Sequence, residues 1–212
     1  MNTPLVIPRN GNPHWSARRG CLLAGGILLA LLATLIDGPL ITCLSGEKTR
    51  HAVERVLAPL LAAGAYGVIL AILASFPNRK RLCFGFLIAV GAAALVLHGL
   101  KLAIGRARPL LDLGSWHFEP FSGREYMDAF PSGHASATAT LALLLGLYFP
   151  RARWVFYLLA LLVGVDRVIQ RWHFPSDVIA GYVLAGAVVF TLVRVLGPGW
   201  YPIQTDSGRN LT

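Results

Sequence analysis

Three short motifs contain the residue types that a phosphoryl-transfer site requires. They are the segments 101–109 (KLAIGRARP), 131–134 (PSGH) and 167–177 (RVIQRWHFPSD), and each adjoins a long apolar stretch. Charged side chains beside a membrane-length apolar stretch are costly unless they have a partner. A tetrahedral oxyanion such as phosphate would satisfy the cations of all three motifs at once. The pattern therefore predicts an anion site in which one histidine could attack phosphorus.

The first two motifs suit separate roles at such a site. Lys101 and Arg108 are seven residues apart, which is about two helical turns, so both can project from one face of a helix end. Ser132 can cap a helix whose first N–H groups are open to an anion. His134 lies just inside that helix, where it could protonate a leaving oxygen.

The third motif pairs a histidine with a carboxylate. His173 lies at the predicted start of a helix, and Asp177 lies one turn further on, where it can reach back to the imidazole. A carboxylate on one ring nitrogen fixes the tautomer and leaves the other nitrogen free to attack. Each motif alone has a second interpretation: cations that reach lipid headgroups, small residues that begin a membrane helix, or an interfacial histidine. Their occurrence together on one membrane face favours a single phosphate pocket.

The composition is that of an integral membrane protein. The 212 residues are 55% hydrophobic and only 14% charged, whereas soluble domains carry about a quarter charged residues. The net charge of +9 is assigned to loops and motifs, and no nucleic-acid partner is predicted. Cys21, Cys43 and Cys83 share no metal-like spacing, so neither a metal site nor a disulfide framework is expected.

Apolar segments of about 20 residues can cross a membrane as helices. The sequence predicts an all-α polytopic membrane bundle, one domain over 1–212, with an N-terminal segment 1–19, an outer loop 105–132 and a tail 198–212. The six predicted transmembrane helices are 21–44, 53–76, 82–104, 133–149, 152–170 and 175–197.

The basic residues give the expected orientation. Ten lie on the side of the termini and nine on the other side, but six of those nine lie in or beside the motifs. If these six bind substrate, ten basic residues on the side of the termini remain against three on the other side. Because basic residues collect on the cytoplasmic side, this distribution predicts that both termini are cytoplasmic and that the motifs face outward. The predicted orientation therefore depends on the predicted function.

The ordered set of motifs, Lys-x6-Arg-Pro, Pro-Ser-Gly-His and Arg-x5-His-x3-Asp, resembles the type 2 phosphatidic acid phosphatase (PAP2) superfamily, which includes vanadium-dependent haloperoxidases. The resemblance implies that His173 is a nucleophile forming a phosphohistidine, that Asp177 orients it and that His134 is the general acid. No cofactor or metal is implied. The groups implied to hold the phosphoryl oxygens are Lys101, Arg108, Ser132, Gly133 and Arg167.

One position departs from the family pattern. The third motif of the family usually begins Ser-Arg, whereas this chain has Asp166 before Arg167. A carboxylate would repel phosphate, so we expect Asp166 to turn away and to pair with Arg171 or another loop cation. Asp37 is interpreted as the frayed outer end of the first helix. His98, which shares a helix face with Lys101, is interpreted as a packing residue that could also line the site. Four residues of the outer loop could contact a substrate headgroup or could simply be solvated: His117, Glu119, Arg124 and Tyr126.

The resemblance implies an integral membrane lipid phosphatase in the bacterial inner membrane, with its site facing the periplasm. The candidate substrates are undecaprenyl diphosphate, phosphatidylglycerol phosphate, phosphatidic acid and lipid A 1-phosphate. The expected partners are the lipid substrate and the bilayer, with no obligate protein partner. A lipid phosphotransferase would use the same phosphohistidine, and an anion transporter would spread its charges through the bilayer depth. A haloperoxidase is disfavoured because that chemistry belongs to soluble members.

Overall fold

A computed structural model describes residues 13–44 and 79–196 of the chain. Within these ranges the chain is all-helical, as the sequence predicts, and forms no β-strand. The predicted span 53–76, the tail 198–212 and the first twelve residues of the N-terminal segment lie outside the described residues. The helices of the described part are α1 (Pro13–Ala33), α2 (Asp37–Leu44), α3 (Arg79–Ile104), α4 (Gly133–Tyr148), α5 (Arg153–Ile169) and α6 (Pro175–Leu196).

Two of these helices are long and apolar enough to cross a membrane. They are the Phe84–Ile104 part of α3 and the whole of α6, each with a mean hydropathy of 2.1. Large apolar side chains point outward from α3, where Leu87 is 67% and Leu95 77% exposed, which suits contact with lipid tails. Helices α4 and α5 have 16 and 17 residues. A membrane-spanning helix typically needs about 20 residues, so both helices are shorter than that. The arrangement of six spans therefore stays a prediction.

The predicted first helix is interrupted. Three successive i→i−3 backbone bonds close the turn after Ala33, and the chain resumes as α2 at an angle of 68° to α1. Pro39 has no N–H to bond back to the turn, which favours a break just before it. The interpretation of Asp37 as a frayed end is wrong, because Asp37 begins α2 and is completely buried.

Helix α4 lies among the other helices and holds the bundle together. It contacts α3, α5 and α6, while α1 packs against α6. Its buried face is rich in small residues, which let neighbouring backbones approach closely. One close approach is at Gly181 of α6, where an added Cβ would lie 2.7 Å from the carbonyl oxygen of Ser132. This contact packs the start of α4 against the first turns of α6, and the starts of both helices carry predicted site residues.

The loop 105–132 folds back over the ends of α3, α4 and α6. Gly105 begins it with a left-handed backbone (φ +58°), and an added Cβ would lie 2.0 Å from the Glu119 carbonyl oxygen, so only glycine fits. Backbone bonds then pair the first residues of the loop with later ones, including Arg108 N–H with the Tyr126 carbonyl at 2.9 Å. The Ser132 N–H donates to the Asp177 carbonyl at 2.9 Å, which fixes the end of the loop to α6.

Gly181→Ala tests the close crossing of α4 and α6. The added methyl group must push the two helices apart, and such overpacking costs about 1–3 kcal/mol. We expect a lower unfolding temperature in detergent. The matched control is Gly186→Ala on the same helix, where nothing lies within 4 Å of the new Cβ. Equal unfolding temperatures for the two variants would contradict the close crossing.

Candidate active site

The three motifs meet at one cavity of about 340 Å³. It lies at the C-terminal end of α3 and the N-terminal end of α4, beside the loop between α5 and α6. Two predicted residues, Ser132 and Asp177, are completely buried behind its wall. The residues that line it are Leu97, His98, Lys101, Arg108, Gly133, His134, Ala137, Arg167, Trp172 and His173.

The imidazole of His173 is almost fully buried and is held by its Nδ1 atom. Nδ1 lies 2.8 Å from the carbonyl oxygen of Ala129. A carbonyl can only accept, so Nδ1 carries the proton and Nε2 carries the free lone pair. The nearer carboxylate oxygen of Asp177 lies 3.8 Å from Nδ1, beyond hydrogen-bond distance. The tautomer is therefore fixed by a backbone carbonyl, and the predicted hydrogen bond between the imidazole and Asp177 is not formed.

The surroundings of His173 keep its ring neutral. Burial lowers the pKa of His173 to about 3, and the positive charges of Lys101 and Arg108 act in the same direction. The hydrogen bond to Ala129 opposes this shift only in part. A neutral imidazole with a free Nε2 is the form that a nucleophilic histidine requires.

The start of α4 forms a second side of the cavity. Ser132 is its N-cap, and the Ser132 hydroxyl accepts weakly from the Ala135 N–H at 3.5 Å. The N–H groups of the first helical turn have no partner within the helix, and they give this end a partial positive charge. His134 stands in the same turn and faces the cavity.

Lys101 and Arg108 bind the same carboxylate, that of Asp128. The Lys101 ammonium lies 3.0 Å from one oxygen, while Arg108 donates from Nε at 2.8 Å and from a terminal nitrogen at 2.9 Å. Burial raises the pKa of the Asp128 carboxyl, but the hydrogen bonds from Arg108 and Lys101 outweigh this and hold the pKa below its ordinary value. An ionised carboxylate thus occupies the cations that the sequence assigns to phosphate.

Comparison with known proteins assigns the family. The family model described as "PAP2 superfamily" matches residues 82–200, which is more than half of the chain. The chain belongs to the PAP2 superfamily. The resemblance inferred from the three motifs is therefore confirmed.

Two curated proteins are similar to part of the chain. The chain is 39% identical over 122 residues to the lipid A 1-phosphatase of Rhizobium johnstonii, covering 52% of this chain and 50% of that protein. It is 27% identical over 132 residues to the undecaprenyl-diphosphatase of Sulfolobus acidocaldarius, covering 62% of this chain and 63% of that protein. The chain thus spans about half the length of the first of these relatives.

The crystal structure of Aquifex aeolicus LpxE shares the fold. The TM-score is 0.57 at 21% sequence identity, and the match covers 75% of this chain and 95% of that chain. This level of identity supports likeness of fold alone.

Asp166, the residue that departs from the PAP2 pattern, has a different partner from the one expected. Asp166 is 1% exposed and accepts from Arg167 Nε at 2.9 Å, from a second Arg167 nitrogen and from Gln170 at 2.7 Å. The expected pairing with Arg171 is wrong: Arg171 follows the end of α5 with a left-handed backbone, and its side chain contacts Asp112. Asp166 therefore holds the guanidinium of Arg167, which lines the cavity.

A second cavity of about 460 Å³ lies beside the first and shares three of its lining residues, His98, Lys101 and Arg108. The outer loop forms its other walls, including Glu119, Arg124 and Tyr126. Glu119 accepts from Arg124 at 2.8 Å and 2.9 Å.

His117 is placed differently from the other predicted headgroup residues. It does not line this second cavity, but its Nε2 lies 3.2 Å from Glu119. Its hydrogen bond, followed by that of Arg124, lowers the pKa of Glu119, so the cavity wall carries an ionised carboxylate.

Sequence reasoning missed several groups of the site. Asp128 and the Ala129 carbonyl belong to no motif, and Arg106, although it lies within the first motif, was given no role of its own. The completely buried Asp37 contacts Arg106 at 2.8 Å. A charged residue in the apolar segment 21–44 was the available signal, because such a residue needs a buried partner.

Asp128→Asn tests whether the carboxylate competes with phosphate for Lys101 and Arg108. Asparagine keeps the size of the side chain and removes its charge, so inorganic phosphate should inhibit more strongly. We expect the inhibition constant to fall about threefold to tenfold, because the lost contact is partly exposed and worth about 1 kcal/mol.

The matched control is Asp112→Asn, which removes a carboxylate of the same loop that pairs with Arg171. Its inhibition constant should stay at the wild-type value. Weaker inhibition of Asp128→Asn by phosphate would show that Asp128 organises the cations instead of competing for them.

Proposed function

We propose that this chain is a membrane lipid phosphatase that works through a phosphohistidine at His173. The observation that carries the proposal is the cavity itself, in which a neutral imidazole with a free Nε2 faces Lys101, Arg108 and Arg167. Membership of the PAP2 superfamily and the likeness to a lipid A 1-phosphatase support the same reaction class.

In the first step the lipid phosphate enters the cavity and replaces Asp128 on Lys101 and Arg108. The Nε2 lone pair of His173 attacks phosphorus, and the bond from phosphorus to the lipid oxygen breaks. His134 donates its proton to that oxygen, which leaves as the lipid alcohol or monophosphate. The three cations and the N–H groups at the start of α4, beginning with Gly133, stabilise the charge on the equatorial oxygens.

The second step returns the enzyme to its starting state. The phosphohistidine carries a positive charge, which the nearby Asp177 carboxylate and the Ala129 carbonyl stabilise. His134, now neutral, accepts a proton from water as the water oxygen attacks phosphorus. The phosphorus–nitrogen bond breaks, and inorganic phosphate leaves. The side chains of the cavity, together with Asp177 behind its wall, supply the charges that these steps need, so we propose that the reaction requires no metal.

Among the candidate lipids, lipid A 1-phosphate fits the observations best. The relative at 39% identity is a lipid A 1-phosphatase, and the polar second cavity adjoins the phosphate site. We propose that this cavity takes the headgroup, with Glu119 and Arg124 as hydrogen-bonding partners, Tyr126 beside them and His117 acting through Glu119. Undecaprenyl diphosphate, phosphatidylglycerol phosphate and phosphatidic acid are the alternatives.

We propose that the protein lies in the bacterial inner membrane. We propose six transmembrane helices with both termini in the cytoplasm, following the distribution of basic residues. The site would then open to the periplasm, with the bilayer and the lipid as its partners and no obligate protein partner.

His173→Ala tests the proposed intermediate. Purified wild-type protein, mixed with lipid A carrying a labelled 1-phosphate and quenched in base, should carry label on histidine and release labelled phosphate. The His173→Ala variant should do neither, because the nucleophile is absent. The unfolding temperature of the His173→Ala variant is measured as a control for folding, and it should match that of the wild type. Phosphate release at the wild-type rate by this variant would falsify the mechanism.

A lipid panel with and without EDTA separates the other possibilities. We expect release to be fastest from lipid A 1-phosphate and unchanged by EDTA. Loss of release in EDTA would contradict a metal-free reaction. Transfer of label to a second lipid without free phosphate would show a phosphotransferase.

A further inference from the structure

Arg106 is the most deeply buried cation of the described residues. Its side chain is 2% exposed, although it stands in a loop at the outer end of the bundle. Two of its nitrogens donate to the Ser115 carbonyl at 3.0 Å and 2.6 Å. Its guanidinium lies 4.4 Å from the centroid of the Phe174 ring, next to His173. This burial excludes contact of the Arg106 side chain with lipid headgroups.

The guanidinium joins two carboxylates from different helices. One terminal nitrogen donates to Asp177 at 2.6 Å and to the Ser176 hydroxyl at 2.7 Å, and the other donates to Asp37 at 2.8 Å. Asp37 also accepts from the Ser176 N–H at 3.0 Å. Both carboxylates are completely buried, so without Arg106 two buried negative charges would face each other without a cation.

Both groups that act on Nδ1 of His173 depend on Arg106. Its side chain holds one oxygen of Asp177, while the other oxygen accepts from the Phe174 N–H at 2.7 Å and lies 3.8 Å from Nδ1. Its backbone carbonyl accepts from the Ala129 N–H at 2.9 Å, and the Ala129 carbonyl in turn accepts from Nδ1 at 2.8 Å. Arg106 does not line the cavity and makes no contact with Lys101, Arg108 or Arg167 among the described interactions.

We propose that Arg106 is a positioning residue for His173, with Asp37 as its second counter-ion. It keeps Asp177 charged and correctly placed, so that the imidazole keeps its orientation and the phosphohistidine cation is stabilised. The proposal rests on the proposed phosphatase function. It assigns Arg106 to the chemical step and leaves phosphate binding to the cations of the cavity.

Loss of the Arg106 side chain should slow the chemical step and leave phosphate binding nearly unchanged. In Arg106→Gln the value of kcat should fall by about 10- to 100-fold, the range seen when a supporting hydrogen-bond partner is lost. KM and the inhibition constant for inorganic phosphate should change less than about threefold, because the phosphate-binding cations keep their places. Rates are compared per folded molecule, from the monodisperse fraction with a measured unfolding temperature.

A double-mutant cycle with Asp177→Asn separates positioning from stability. If Arg106 acts through Asp177, the double variant should be no slower than Asp177→Asn alone. A merely structural role would leave kcat per folded molecule unchanged in Arg106→Gln, or would add its cost to that of Asp177→Asn. Either result would overturn the proposal.

Two further variants complete the experiment. Arg106→Lys keeps the buried charge but cannot span both carboxylates, so it should fold and show an intermediate kcat. If Arg106→Gln does not fold, Arg106→Lys replaces it in the double-mutant cycle. Arg171→Gln is the matched control, since Arg171 pairs with Asp112 on the same face, and it should keep the wild-type kcat.

Failure of the wild-type protein to release phosphate from any lipid would overturn the proposed function, whereas a wild-type kcat in the Arg106 variants would overturn only the role of Arg106.

Discussion

The buried contact of Arg106 with Asp37 and Asp177 is the interaction on which the rest of the site depends. It ties the outer loop to α2 and α6, two helices that approach the site from different parts of the chain. Breaking a buried ion pair by removing one partner costs about 3–5 kcal/mol, because the other charge is left unpaired. The same contact fixes the end of α6, from which Asp177 faces His173. One interaction therefore couples the packing of the bundle to the geometry of the proposed nucleophile.

Carboxylates also organise the cations that face the cavity, but in two different ways. Asp166 is buried behind Arg167 and fixes its guanidinium. Asp128 has a side chain that is 43% exposed, and it occupies Lys101 and Arg108 where a phosphate would bind. A partly exposed carboxylate can be displaced at low cost, whereas a buried one cannot. The site thus keeps its cations ordered before substrate arrives and still leaves them accessible to an anion.

The sequence predicted the all-helical character of the described residues and the three motifs that line the cavity because both are recognised from local signals. Apolar length identified α3 and α6, and the order of three motifs identified the PAP2 superfamily. It did not predict the partners of the buried charges, because these are tertiary contacts. Arg106 lies 69 residues from Asp37 and 71 from Asp177. No spacing rule within one helix connects residues that far apart.

The roles of Asp166 and Asp37 were misread for a related reason. Asp166 was expected to bind a loop cation, but its neighbour Arg167 lies closer than Arg171, which the left-handed backbone directs towards Asp112. Asp37 was interpreted from its local surroundings as a helix end, whereas its burial is explained by its contacts with Arg106 and Ser176 from other segments. Local sequence identifies which groups need a partner, and the fold decides which partner they obtain.

A structure of the protein with bound orthovanadate would show directly which groups hold the phosphoryl group. We expect vanadium bonded to Nε2 of His173, with vanadate oxygens on Lys101, Arg108 and Arg167. Asp128 should have left both cations, while Nδ1 should still donate to the Ala129 carbonyl. Vanadate bound away from His173, or Asp128 still held by Lys101 and Arg108 beside a bound vanadate, would contradict the proposed mechanism.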